Sequence, residues 1–509
     1  MADLPPLDRL DPAEAWKPWR PTAAEPWDRA RAAHLYRRAA FGASREELLE
    51  AERLGAEGTL DLLLRGRPGA DDIRETLNDV GRLAAARDDN GEELRSWWLY
   101  CMLQGGHPLR EKLTLFWHNH FATSLGKVRD PALMYRQNCL LRSHALGRFG
   151  ELLHAIGRDP AMLVWLDSNS NIKEHPNENY ARELMELFSL GVGNYSETDV
   201  REAARAFTGW HTSGGNFRFN AAAHDDSTKT FLGQTGNWNG DDVVRIILNR
   251  PACARFLVGK LYRFLISETA DPSDALLEPL CQAFRAGGYE LAPLVRTMLC
   301  SRLFQSNHSF RQRVKGPVEY VLGAVRAVYR RYDEADPDYR PLPQQTLVKT
   351  IGAMGQPLFT PPNVKGWAGG RSWLNTSTLL ERDNFAHALA TGILWADPAL
   401  QMAVAPPRAT ADEKVPTRRA APEPSDRPEE PAPPVAFDPA WLLEEEKVRR
   451  PEDVVRALLD VYLPGGVRSA ARTRLVAFVA EGAPAGPALA RRVREAVHAL
   501  MTMPEYHLA

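Results

Sequence analysis

The sequence is poor in cysteine, in charge imbalance and in long apolar runs, and each shortage closes off a class of protein. Its five cysteines, Cys101, Cys139, Cys253, Cys281 and Cys300, are odd in number, widely spaced and never paired as CxxC. A disulfide framework and a cysteine-built zinc site are therefore not expected, and each thiol reads as a small hydrophobe among apolar neighbours. Lys and Arg total 63 against 65 Asp and Glu, a formal net charge of −2. That balance supplies no bulk field to attract nucleic acid or an anionic membrane. No stretch approaches the ~18 apolar residues of a membrane span, and the opening Met1-Ala2-Asp3-Leu4-Pro5-Pro6 lacks the basic start and apolar run of an export signal. The expectation is a cytoplasmic protein with neither a nucleic-acid nor a membrane partner. Also missing are the GxSxG elbow, HExxH, GxGxxG, the P-loop and the kinase signatures. Serine hydrolase, zincin, dinucleotide-binding and kinase readings have nothing to rest on.

What is present is a chain of 509 residues, long enough for a sizeable core, with helical periodicity over most of its length. Residues 1–27, rich in Pro, Trp and Asp, read as an extended arm. A main helical domain is expected over 28–402. Ser44-Arg45-Glu46-Glu47 is a capping box opening one of its helices. The segment from Pro108 to Trp117 places apolar residues at 109, 113, 116 and 117, one helix face. Near 212–239 the pattern breaks into Gly, Asn and Thr around Phe217-Arg218-Phe219, an irregular or β-hairpin excursion. Residues 403–437 turn abruptly to Pro406, Pro407, Pro422, Pro424, Pro428 and their like among charges, the composition of a disordered linker or insertion. Helices return over 438–509, expected to pack on the main domain. The fold class is all-α, a large multi-helix bundle.

Three segments place polar groups in apolar surroundings. In Phe116-Trp117-His118-Asn119-His120-Phe121 the two imidazoles point ~200° apart if the helix continues and the same way if the chain is extended. The first arrangement forbids a shared ion and the second permits one. In the second segment Asn179, Arg182, Glu183 and Glu186 fall at helical spacing and form one polar stripe, expected to be mostly buried and hydrogen-bonded, with Arg182 paired to one of those glutamates or to Asp167. Just before it, Asp167, Asn169, Asn171 and Glu178 occupy calcium-loop positions, but Ile172 stands where such a loop needs glycine. The third segment, Thr208 to Gly233, brings Trp210, His224, Asp225 and Lys229 into irregular backbone, which suits ligands or a general base. Further on, Pro362-Asn363-Val364-Lys365-Gly366-Trp367 could offer cations and N–H groups to an anion.

These strings carry a resemblance. Phe116-Trp117-His118-Asn119-His120-Phe121-Ala122-Thr123-Ser124, the run from His175 to Phe188, the run from Val200 to Trp210, and Pro361-Pro362-Asn363-Val364-Lys365-Gly366-Trp367 together resemble the bacterial family called domain of unknown function 1800. The resemblance implies a largely helical protein, gene neighbours from a second family, number 1501, and many exported relatives. It transfers no catalytic role to any residue.

Two functions are expected to compete. One is an enzyme with a buried His/Glu site, open to metal dependence, with oxidation favoured over hydrolysis. Its catalytic groups would be Glu183, Arg182, Asn179, His224 and Asp225. Lys229, Lys365 and Trp210 would bind a cofactor or substrate, and His118, His120, His175 and Glu178 would hold a divalent metal (Fe, Mn or Zn), with Ca or haem as lesser alternatives. The histidines would then approach the N-terminal end of the helix that starts near Glu178, with the His224-Asp225 loop as a lid. The other is a non-catalytic scaffold or obligate partner subunit of a 1501-family protein.

Overall fold

The helical periodicity folds as helices. In the computed structural model, which describes residues 4–328, 344–393, 442–443, 448 and 450–509, strands among the described residues are confined to two antiparallel pairs. Trp210–Ser213 pairs with Asn216–Phe219, and Lys229–Phe231 with Gln234–Gly236, both inside the stretch where the helical pattern breaks. The described residues are all-α apart from this excursion and their connecting turns. No helix among the described residues is long and apolar enough to cross a membrane. The Pro-rich stretch 403–437 lies outside the described residues.

Capping explains where many helices begin. Ser44 accepts from the Glu47 N–H while Glu47 returns to the Ser44 N–H, so the expected box opens Arg45–Arg65. Asp130 and Asp159 cap Pro131–Ser143 and Pro160–Trp165, each with proline at the first helical position, where its missing N–H costs nothing. The N-terminal arm is not wholly extended. It holds a short helix, Pro12–Trp16, and it is fastened by the Trp16 indole, which donates to the Leu276 carbonyl at 2.6 Å.

Two apolar cores form. The first gathers the 29–39, 149–157, 197–206, 240–248 and 251–265 helices, and the second joins the Glu92–Gln104, Pro317–Val328 and Thr376–Thr391 helices to the Pro451–Tyr462, Ser469–Ala480 and Pro487–Thr502 helices. The Pro108–His120 helix runs between them. Leu109, Leu113, Phe116 and Trp117 enter the first core and Leu115 the second. Several of its polar residues are therefore as buried as its apolar ones: Lys112 donates to Glu319, and Glu111 pairs with Arg142, whose Nη2 donates at 3.0 Å. All five cysteines are free thiols, three of them buried.

Candidate functional site

The HxH motif is helical to its end. The Phe121 N–H still bonds the Trp117 carbonyl at 2.8 Å, so His118 and His120 project to opposite sides and enter different cores. His118 is fully buried against Trp98, Phe359 and Trp367, with ring centroids 5.1, 5.5 and 5.8 Å away. Neither of its nitrogens finds a hydrogen bond among the described residues. Burial alone pushes its pKa down to about 3, so the ring is neutral at physiological pH. His120 sits among Trp117, Phe121 and Phe188 in the first core. Its Nε2 donates to the Phe188 carbonyl at 3.0 Å, and its Nδ1 accepts from Lys260 Nζ at 3.1 Å. Lys260 also donates to the Leu187 carbonyl at 3.1 Å. Both carbonyls belong to the C-terminal end of the second motif's helix, where orphan acceptors need donors. His120 thus meets that helix at its C-terminal end, not its N-terminal end. Among the described residues no group of three or more His, Cys, Asp or Glu side chains could hold a metal ion. The expected ligands His118, His120, His175 and Glu178 are not gathered: His175 is exposed on a turn and Glu178 pairs with Arg182.

The calcium-loop oxygens are spent locally. Asp167 pairs with Lys127 at 2.8 Å, Asn169 accepts from the Thr212 N–H at 2.7 Å, and Asn171 accepts from the Asn177 N–H at 2.9 Å. The polar stripe also differs from expectation. Asn179 is exposed, while Arg182, Glu183 and Glu186 are half-buried. Arg182 pairs with Glu178 at 2.9 Å and with Glu197 at 2.8 Å, and with neither Glu183 nor Asp167. Glu197 opens the next helix, so a partly exposed ion-pair clamp between two helix starts stands in place of the expected buried network.

The same helix changes its winding at Leu184. Asn179–Glu183 is α-helical and Leu184–Ser189 is π-helical. A π-turn widens the helix and is frequent at functional sites. Here it separates the two acids of the stripe. Glu186 accepts from the Tyr195 hydroxyl at 3.2 Å, and its other oxygen lies 4.0 Å from Lys365 Nζ. Glu183 has no hydrogen bond or ion pair among the described residues. Burial, and then the like charge of Glu186, raise its pKa above the usual carboxylate value against the opposing pull of Lys365 and Arg182.

The loop that carries Lys365, whose side chain is 71% exposed, is held by a residue that sequence reasoning misses. Asn119, between the two histidines, accepts from the Trp367 N–H at 2.7 Å and donates to the Trp367 carbonyl at 3.4 Å. The Gly366 backbone lies flat against it, at φ +77°, and a Cβ there would fall 2.2 Å from Asn119 Oδ1. Only glycine fits both the backbone conformation and the approach. Three separated strings therefore meet: 116–121 through Asn119 and His120, 183–188 through Glu186 and Phe188, and 363–367 through Lys365 and Trp367.

The third segment forms a knot of its own. His224 is buried with Nδ1 2.8 Å from the Thr208 carbonyl, Asp225 accepts from Arg205 Nε at 2.7 Å, and Lys229 Nζ donates to the Ser227 carbonyl at 2.9 Å. Arg205 and Ser227 hold the Asp225 carboxyl well below its usual range despite burial, and burial lowers the Lys229 ammonium. Trp210 is buried between Phe207 and Phe217, with the Arg158 guanidinium 5.1 Å over its ring. The bonds of His224 and Asp225 tie the loop to Arg205 in the Glu197–Ala206 helix and to Thr208 just beyond it, and none reaches His118 or His120.

Comparison with known proteins is informative on one point. The model of the family described as protein of unknown function (DUF1800) matches residues 34–508. The chain belongs to that family. No curated protein and no solved structure matches it. In this DUF1800 protein the matched region contains every motif that meets at Asn119, and also the 403–437 stretch.

Proposed function

We propose that this DUF1800 protein is an enzyme of proton-transfer or hydrolytic chemistry whose acid–base group is Glu183. The observation that carries the reading is a half-buried carboxyl, without hydrogen bond or ion pair among the described residues, raised by burial and by Glu186 on a widened helical turn. A general acid or base needs a pKa moved toward the working pH and an unblocked oxygen. Glu186, oriented by Tyr195, keeps a second negative charge beside it, and Lys365 supplies a cation for charge developing on a substrate. The donor set is two carboxyls and an ammonium, which favours acid–base over redox work. His118 and His120 support the site as packing and capping residues rather than as ligands. The test is a panel of chromogenic ester, phosphoester, amide and glycoside substrates against the wild type and E183Q. Turnover that E183Q abolishes with the fold intact supports the reading, and turnover that E183Q leaves unchanged removes it.

A second reading, the partner subunit of a 1501-family protein, is favoured by a different surface. Ile73, Val80 and Leu83, 40%, 49% and 50% exposed, project from the Ala70–Arg87 helix, and Ile73 and Val80 edge a groove of about 760 Å³. Co-expression with the neighbouring-gene protein, and then size-exclusion chromatography of wild type and V80E, separates this reading from the first.

A further inference from the structure

At one end of the second core, cations outnumber the carboxylates free to meet them. Lys315 is 7% exposed. Its ammonium lies 3.8 Å from the centre of the Tyr506 ring, and no carboxylate, carbonyl or hydroxyl among the described residues bonds it. It lines a cleft of about 40 Å³ together with Arg37, Glu319, Tyr462, Tyr506 and the buried Ala509, the last residue of the sequence, which forms no ion pair with Lys315 or Arg37 among the described residues. Arg37, from the Arg29–Ala39 helix, has its Nε and Nη2 shielded from solvent with no hydrogen-bond partner among the described residues. Glu319 stands in the wall but is already engaged: Lys112 and Arg313 donate to it, and so does the Gly316 N–H at 2.9 Å.

Burying an unpaired cation costs far more than burying a paired one, and an isolated ammonium in such a place must either find an anion or lose its proton. Two features argue that the arrangement is built for an anion. The backbone of Lys315 is pinned on both sides: its N–H donates to the His507 carbonyl at 2.8 Å and its carbonyl accepts from Arg382 Nη2 at 2.8 Å. The stem therefore leaves the backbone from a fixed point at the edge of the cleft. The cleft is also several times the ~10–15 Å³ that one water requires, room for a small tetrahedral oxyanion but not for a large organic ligand. Burial, and then Arg37 and Arg382, push the Lys315 pKa down, the field a bound dianion would reverse.

We propose that this cleft binds a phosphate group, with Lys315 Nζ and the Arg37 guanidinium as its donors. Arg and Lys each offer a charge-assisted hydrogen bond to a phosphate oxygen, so the pair supplies complementary contacts. The site shares no residue with the Glu183 cluster and stands whether or not that cluster is catalytic. The phosphate is either free or the end of a monoester, and the two sources present the same oxyanion.

The experiment is isothermal titration of the full chain with inorganic phosphate, and separately with glycerol 3-phosphate, at fixed ionic strength set by chloride. Saturable binding of either is expected, weakened at least tenfold in both K315M and R37M. Binding of the monoester shows that the cleft admits an ester, and refusal of it assigns the site to the free anion. Met keeps the length of the lysine stem without the buried charge, so K315M is expected to fold and to melt no lower than wild type without phosphate. Phosphate should raise the wild-type melting temperature and leave that of K315M in place. No binding of either compound at millimolar concentration, or equal binding by wild type and both variants, overturns the proposal.

Discussion

Replacing His118 by leucine (H118L) exchanges two unpartnered ring nitrogens for aliphatic carbon in the same aromatic surroundings. A buried polar group without a partner costs about 1–3 kcal/mol. The lost ring contacts with Trp98, Phe359 and Trp367 are worth roughly 0.5–1.5 kcal/mol each. The two terms largely offset each other, so wild type and H118L should have about the same stability at pH 7. Acid separates them. The folded-state pKa is about 3, against about 6.5 for an unfolded histidine. Between these values the unfolded chain binds a proton that the folded chain refuses. The contribution is complete above about pH 6.5 and falls by about 1.4 kcal/mol per unit as the pH drops toward 3. At pH 5 the wild type has lost about 2 kcal/mol through this one residue, and H118L has lost none of it. Urea unfolding monitored by circular dichroism at pH 7, 6 and 5 reads the difference directly. An H118L protein destabilised by several kcal/mol at pH 7, with an unchanged acid slope, would mean that His118 holds a partner, and the packing account of it would fail.

Other perturbations probe the supporting structure. Glu111→Gln strands the buried Arg142 guanidinium and should cost about 3–5 kcal/mol by urea unfolding. Asn119→Ala removes the clamp on Trp367; a cost of about 1–3 kcal/mol is expected, with faster proteolysis of the 363–367 loop, and equal proteolysis rates would show that the loop is held by other contacts. Arg182→Ala breaks ion pairs whose partners are 38% and 68% exposed, so its effect should stay within about 1 kcal/mol and shrink with added salt. A larger loss would return the stripe to the buried network that its spacing suggests.

Much of the fold is legible in the sequence because the determinants are local. Capping residues such as Ser44 and Asp159, and the 109-113-116-117 face, announce their helices by chemistry within a few residues. The break near 212–239 is legible for the same reason, since Gly and Asn at close spacing forbid a continuous helix. The site is less legible because its determinants are not local. Whether the HxH pair shares a side depends on one hydrogen bond at Phe121, which the sequence does not specify. The partner of Arg182 is Glu197, supplied by the next helix rather than by the stripe. Asn119 carries no mark of its own, since an amide at a helix end has many local uses, yet Gly366 and Trp367 are visible signals of a close approach. Lys260, Tyr195, Arg37 and Lys315 carry no local mark at all; their roles exist only once the helices pack.

The most direct test of the account is the titration of one carboxyl. Carbon-13 spectra of glutamate-labelled protein, with the Glu183 signal assigned by its loss in E183Q, report its midpoint in wild type, E186Q and K365M. The account predicts a midpoint above the ~4.3 of an ordinary glutamate, lowered in E186Q, where a like charge is gone, and raised in K365M, where the cation is gone. A Glu183 that titrates as an ordinary exposed glutamate and ignores both substitutions would contradict its assignment as the acid–base group.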